Sequence, residues 1–262
     1  MRSLASMGAD EARGFKYVLT DVDDTITSDG KLLDCTYHAL WALHDAGLKI
    51  IPITGGPAGK CDLYCRQWPV DAAIGENGAT VFFMENGRVR RIDHPTAVPN
   101  TDVRLKAILE QCLKAVPQCR LASDQYTRLF DMAINYAEDE PRLGVDQART
   151  ITEICLANGA HAMPSSIHVN VWLGDYDKRS MATMVLKSLF GWDPSMMDEV
   201  VYLGDAPNDE PMFEFFTHTI GVASIRKYEA SLTHKPVYIA DKAGGEGFAQ
   251  AAMRILELRS AL

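Results

Sequence analysis

The sequence has no long hydrophobic run. Nothing in it approaches the roughly eighteen consecutive apolar residues of a membrane-spanning helix, so neither a membrane span nor a membrane partner is expected. It also lacks positive charge: 26 Lys and Arg stand against 35 Asp and Glu, a net charge of −9. A chain of that sign is repelled by a phosphate backbone, which argues against a nucleic-acid partner. It does not argue against a small phosphorylated molecule, because a bound cation reverses the local field. The six cysteines are scattered, and no Cys or His pair completes a zinc-like spacing; Cys61 and Cys65 are simply one helical turn apart. Reduced thiols in a cytoplasmic protein are the expectation. There is no internal repeat and no low-complexity tract. The first stretch, MRSLASMGADEARG, has no apolar core of the kind a secretory signal needs, and residues 1–14 are expected to form a short flexible leader.

What is present is a repeating alternation. FKYVLTDV reads as a buried strand, short and rich in β-formers. DCTYHALWALHDAG follows with Leu40 and Leu43 at helical spacing and Gly47 at a C-cap. LKIIPITGG is a second strand, GKCDLYCRQW a helix, and DAAIGENGATVFF a third strand broken by a turn. VFFMENGRVRRID is a hairpin turning at Asn86-Gly87. Strands alternating with helices imply a parallel sheet with right-handed crossovers, and such sheets bind ligands outside the carboxyl ends of their strands.

The texture changes between about Pro95 and Trp172. TDVRLKAILEQCLKAV and GVDQARTITEICLANG read as amphipathic helices; CRLASDQ, RLFDMAINY and IHVNVWL read as strands. The first pattern then resumes through DKRSMATMVLKSLFG, EVVYLGD, HTIGVA and a closing helix. The expected fold is α/β: a parallel-sheet core from residues 15–94 and 173–262, with an α+β module, 95–172, inserted between the two pieces.

Four polar clusters fall at strand ends or at a helix start: Asp21-Val-Asp23-Asp24-Thr25, Thr54-Gly55-Gly56, Lys178, and Gly204-Asp205-Ala-Pro-Asn208-Asp209. Singly, each reads as an ordinary turn, cap or surface lysine. Together, in this order at one edge of one sheet, they read as a site. D-x-D-x-T after an apolar strand, then Thr, Lys and GDxxND, resembles the haloacid dehalogenase (HAD) superfamily of phosphohydrolases. The resemblance implies a Rossmann-like core and, for the inserted module, a C2-type cap of the type IIB form. GDAPNDEPMF and KAGGEGFAQA look most like the sugar-phosphate phosphatases of that group, such as those acting on sucrose phosphate and mannosyl-phosphoglycerate.

That resemblance implies roles. Asp21 would be the nucleophile that forms an aspartyl-phosphate, and Asp23 the acid that protonates the leaving alkoxide and then activates water. Mg²⁺ would be held by the Asp21 carboxylate, the Asp23 carbonyl and Asp205, with Asp209 in support through water. Thr54 and the Gly55 N–H would bind phosphate, Lys178 would neutralise phosphate and Asp21, and Asn208 would orient Lys178 or the phosphate. Thr25 would brace the first loop. Two positions depart from the family: Asp24 stands where Gly is usual, and Gly56 where many relatives carry Arg, a contact Lys60 could replace. Over the site, a cap would choose the leaving group. By period two, Ser166, His168, Asn170 and Trp172 share one strand face. Gln125, Arg128, His168 and Asn170 are the candidates for substrate contact there, while Asp124 and Asp131 read as part of the solvated side of a cap sheet. The expected activity is Mg²⁺-dependent hydrolysis of a small phosphorylated metabolite, a sugar phosphate first. A nucleotide, cofactor phosphate or phosphoglycerate-type acid is the alternative substrate, and a non-catalytic phosphate-binding module the alternative class. A monomer or homodimer is expected.

Overall fold

The computed structural model describes residues 1–165 and 167–260. Six parallel strands form the central sheet, in the order Arg2–Ser3, Tyr238–Ile239, His218–Gly221, Val200–Gly204, Tyr17–Thr20 and Lys49–Pro52. A parallel bridge from Ile53 to Ile74 joins this sheet to an antiparallel trio, Ala72–Gly75, Thr80–Glu85 and Arg88–Asp93. Successive residues of the central strands point to opposite faces, so each feeds two cores. Val18, Val201 and Leu203 pack beneath the helices Asp34–Asp45 and Gly244–Ser260. Leu19, Val200 and Tyr202 pack beneath Lys178–Phe190 and Glu210–Phe215.

The topology places the site. From Tyr17–Thr20 the chain moves to the neighbour on one side, Lys49–Pro52. The strand on its other side, Val200–Gly204, comes from the second sequence piece. A crevice opens at such a switch in strand order, outside the carboxyl ends. Thr20 pairs with Leu203, and the Asp21 N–H donates to the Leu203 carbonyl at 2.9 Å, so Asp21 and Asp205 emerge side by side.

Residues 1–14 are not a flexible leader. Arg2–Ser3 adds the edge strand beside Tyr238–Ile239, and the Arg2 guanidinium lies 4.5 Å from the Tyr238 ring centre. Helix Ala9–Gly14 packs on Gly244–Ser260, and Glu11 accepts from the Tyr238 hydroxyl at 2.7 Å. Leu4, Met7 and Ala12 are buried. Burying Leu4 and Met7 stabilises by about 1.5–3 kcal/mol each, and the strand pairing and helix packing add to this in ordering the segment.

The second unit is a four-stranded antiparallel sheet, His161–Pro164, His168–Trp172, Met132–Asn135 and Arg120–Leu121. Helices Val103–Ala115 and Val145–Ala157 cover one face through Leu105, Ile108, Ile151, Val169 and Val171. The other face turns toward the core. No strand is expected at His161–Pro164 from the sequence; it lies at the sheet edge, where its proline is tolerated. Among the described residues, no helix is long and apolar enough to cross a membrane.

Candidate active site

Asp21 follows its strand directly and is 4% exposed. Its Oδ1 accepts from Lys178 Nζ at 2.6 Å. Lys178 is the first residue of its helix, which Asp177 caps by accepting the Ser180 N–H at 2.6 Å. The same ammonium donates to Asp209 Oδ1 at 2.8 Å. Asp209 is fully used: Oδ1 also accepts from the Tyr202 hydroxyl at 2.6 Å, and Oδ2 accepts the N–H groups of Asp205 and Ala206. A Cβ at Gly204 would collide with that carboxylate, which is why glycine opens the motif. Asp209 thus shapes the third-motif loop and holds Lys178, a bracing role. Asn208 sits half-buried on the turn Pro207–Asp209, and Lys178 is held by Asp21 and Asp209 rather than by it.

The first two motifs are tied together by Thr54, whose hydroxyl donates to Asp23 Oδ2 at 3.0 Å and accepts from the Gly56 N–H at 2.8 Å. Among the described residues, the Gly55 N–H has no protein acceptor and the Asp23 carbonyl no protein donor. Asp23 is exposed to the crevice. Thr25 is buried and donates to Asp205 Oδ1 at 3.4 Å, bracing the first motif against the third.

Charge is out of balance here. Carboxylate oxygens of Asp21, Asp205 and Asp209 lie within 4.8 Å of one another. Burial pushes Asp21 well above the usual carboxylate range; Lys178 opposes this, and Asp209, Asp205 and Asp23 add to it. Burial, then Asp209, pushes Asp205 up to about 8. Burial alone would lower Lys178, but Asp209 and Asp21 outweigh it and keep the ammonium charged. One ammonium faces a cluster of carboxylates, so an oxygen-liganded cation would fit among Asp21, Asp205 and the Asp23 carbonyl.

Asp24 has φ +58°, in the left-handed region where glycine is at ease and aspartate is tolerated. Its side chain turns back to accept the Asp29 N–H at 3.2 Å. The residue therefore holds a backbone shape that glycine adopts freely and aspartate tolerates. Asp24→Gly should stay within about 1 kcal/mol of the parent in urea unfolding, while Asp24→Val should cost about 1–2 kcal/mol. Equal stability of both variants would rule out this account. At Gly56 a Cβ would lie 3.1 Å from the Thr54 hydroxyl, and Lys60 Cδ lies 3.6 Å from the same point. The Lys60 stem runs where a longer residue at 56 would begin.

The cap candidates divide. Asn170 reaches the core: its Nδ2 donates to the Gly55 carbonyl at 3.2 Å. His168 is buried on the same strand face and pairs through Nε2 with Glu138 at 2.9 Å. Gln125 is engaged within the cap: its amide spans the Asp131 carbonyl and the Ala133 N–H, pinning a turn to a strand. Arg128 is not free either. Its guanidinium binds both Asp131 oxygens at 2.8 and 2.9 Å, reaches Asp124 at 3.1 Å, and donates to the Gly55 carbonyl at 3.1 Å. The sequence offers this arginine as a substrate contact, but its guanidinium is taken up by two carboxylates. Trp172 packs with Phe130 and Tyr176, and Ser166 lies outside the described residues.

Sequence reasoning passed over Glu76 and Asn77 as a turn. Fully buried, Glu76 accepts four backbone N–H groups: those of Ala58 in the core and of Leu129, Phe130 and Asp131 in the cap. Glu76, Asn77 and Gly78 all have positive φ, and a Cβ at Gly78 would strike the Asp177 carbonyl. The signal in the sequence was Glu-Asn-Gly directly after a fully apolar strand.

No sequence-family profile matches the chain, and no curated protein does. Solved structures do. A protein of Thermoplasma acidophilum superposes with TM-score 0.73 at 17% identity, covering 93% of this chain and 99% of its own. A haloacid dehalogenase-like hydrolase from Bacteroides thetaiotaomicron gives 0.68 at 15%, covering 92% and 99%. The trehalose-6-phosphate phosphatase C-terminal domain of C. albicans gives 0.70 at 15%, covering 97% and 96%. A HAD subclass IIB sugar phosphatase also matches, with TM-score 0.61 at 17% identity, covering 93% and 99%. The chain has the fold of the haloacid dehalogenase-like hydrolases, cap included.

Proposed function

We propose that the protein is a Mg²⁺-dependent phosphomonoester hydrolase acting on a small phosphorylated metabolite, a sugar phosphate first. The observation that carries this reading is the buried Asp21 carboxylate held on Lys178 at the switch point of the sheet, with Asp23 two residues on and exposed to the crevice. A binding module has no need of both groups. The Asp21 carboxylate attacks phosphorus as the ester bond to the leaving oxygen breaks. Asp23 gives that oxygen its proton, then takes one from the water that cleaves the aspartyl-phosphate. Lys178 offsets charge on Asp21 and on the phosphoryl oxygens, and the Gly55 N–H is a donor for one of them. When bound, Mg²⁺ supplies the positive charge that keeps Asp21 ionised beside a phosphate. The sugar and trehalose-phosphate phosphatases among the structural neighbours support the substrate class. A panel of phosphorylated metabolites with Mg²⁺ tests it. Release of phosphate from sugar phosphates ahead of nucleotides is expected; preference for a nucleoside phosphate over every sugar would overturn the class, and no turnover of any ester the activity.

Metal dependence has a pH signature. Asp205 has a folded pKa of about 8 against an unfolded 3.8. Its contribution to stability is complete below about 3.8 and is lost as pH rises through 8. In chelator, this group should lower Tm between pH 5 and pH 8. Saturating Mg²⁺ should restore about 5–10 °C at pH 8 and distinctly less at pH 5. Equal shifts at both pH values in scanning calorimetry would contradict a cation held by these carboxylates.

A further inference from the structure

The amide side chains of Asn77 and Asn170 converge on one point. A Cβ placed on Gly55 would lie 2.9 Å from Asn170 Nδ2 and 2.9 Å from Asn77 Oδ1. Asn77 comes from the core and Asn170 from the cap; they are 5% and 8% exposed. Each leaves one buried polar atom without a partner: Nδ2 of Asn77 and Oδ1 of Asn170. The orientation of Asn170 is fixed by chemistry, since the Gly55 carbonyl can only accept and so must face the amide nitrogen. The place is equally defined. The Asn77 N–H donates to the Thr54 carbonyl at 3.1 Å, and Thr54 holds Asp23. The next residue, Gly78, abuts the start of the Lys178 helix. The free donor and the free acceptor therefore stand in the core–cap seam, beside the groups that handle phosphate.

Buried polar atoms in folded proteins are almost always paired, and an unpaired donor and acceptor in a core–cap seam beside Gly55 point to a ligand that completes them. We infer that Asn77 and Asn170 grip the substrate on either side of its ester bond. Asn77 donates to a phosphoryl oxygen, and Asn170 accepts from a hydroxyl on the leaving group. This rests on the phosphatase reading and deepens it. A phosphate dianion has no proton for Asn170 Oδ1, whereas a hydroxyl near the ester does. The substrate is then a phosphorylated polyol rather than a simple alkyl or aryl phosphate, and Asn170 senses the difference. The left-handed backbone of Asn77, φ +57°, also explains asparagine there: it tolerates that conformation and carries a donor.

The test separates the two amides. In an Asp21→Asn background with Mg²⁺, binding of inorganic phosphate is measured by calorimetry. Asn77→Gly keeps the backbone free to turn and should weaken binding about tenfold; Asn77→Asp, which replaces the donor by a charge, about a hundredfold. With Asp21 intact, glycerol 3-phosphate and n-propyl phosphate are compared. The parent should favour the first in kcat/KM by about tenfold, and Asn170→Ala should erase that preference. A purely structural role for Asn170 would depress both esters alike and would overturn its assignment. Phosphate binding unchanged in both Asn77 variants would overturn that of Asn77. Should the parent hydrolyse no ester and the Asp21→Asn protein bind no phosphate, the phosphatase reading itself falls and takes this one with it.

Discussion

Asp21→Asn is expected to abolish phosphate release, lowering kcat by on the order of 10⁴-fold, while leaving the protein folded. The loss follows from chemistry: an amide oxygen is too weak a nucleophile to displace an alkoxide from phosphorus. Tolerance by the fold follows from the geometry. Asp21 is buried among Asp209, Asp205 and Asp23, all of which disfavour its charge. Asparagine removes one of these charges, and its Oδ1 still accepts from the Lys178 ammonium that lies 2.6 Å from Asp21. In chelator the variant should melt at the parent's temperature or above it, with Mg²⁺ stabilising it less than it does the parent. Phosphate release and scanning calorimetry read the two effects separately. Retained activity would remove Asp21 from the chemistry, and a collapse in Tm would make it a structural residue instead.

The core of this arrangement was legible because its signals are local. Tyr17–Thr20 and Val200–Gly204 are short apolar runs ended by carboxylates, and a carboxylate just beyond a buried strand is costly unless something uses it. The Asp23–Thr54 and Asp21–Lys178 contacts join residues 31 and 157 positions apart, and only their shared sheet edge made them foreseeable. What stayed hidden is tertiary. Arg2–Ser3 becomes a strand only because Tyr238–Ile239 offers it an edge. Arg128 looks like a free cation until the turn around it brings both Asp124 and Asp131 onto the guanidinium. Glu76 looks like a turn residue, yet its burial against four N–H groups from two parts of the chain makes it a tie between core and cap. Asp24 looks like one more crowded carboxylate in the sequence, yet its φ of +58° is a left-handed conformation that aspartate tolerates, and sequence alone does not show that.

Lys178→Met carries the second large effect, and here activity and stability fall together. Lys178 is 5% exposed and is the cation shared by Asp21 and Asp209 at 2.6 and 2.8 Å. Methionine keeps much of the length and removes the charge. Two buried carboxylates are then left facing each other, and removing one partner from a buried ionic cluster costs about 3–5 kcal/mol. Lys178 also opposes the burial that raises the Asp21 pKa, so that pKa should rise further in the variant. A carboxylate whose folded pKa is raised stabilises below its unfolded value, near 3.8, and loses that contribution as pH increases. The deficit against the parent should therefore be larger at pH 8 than at pH 5 in urea unfolding. Activity should drop by about 10³-fold, because the ammonium that offsets the phosphoryl charge on Asp21's side is removed. The double variant Asp21→Asn/Lys178→Met decides between charge and packing. If the loss is electrostatic, neutralising Asp21 should return at least about 1 kcal/mol of the stability lost with Lys178, a coupling of the size expected for contacting groups. If the lost stability reflects only the packing of the lysine stem, the two substitutions will add without coupling, and the charge cluster is not what Lys178 holds together.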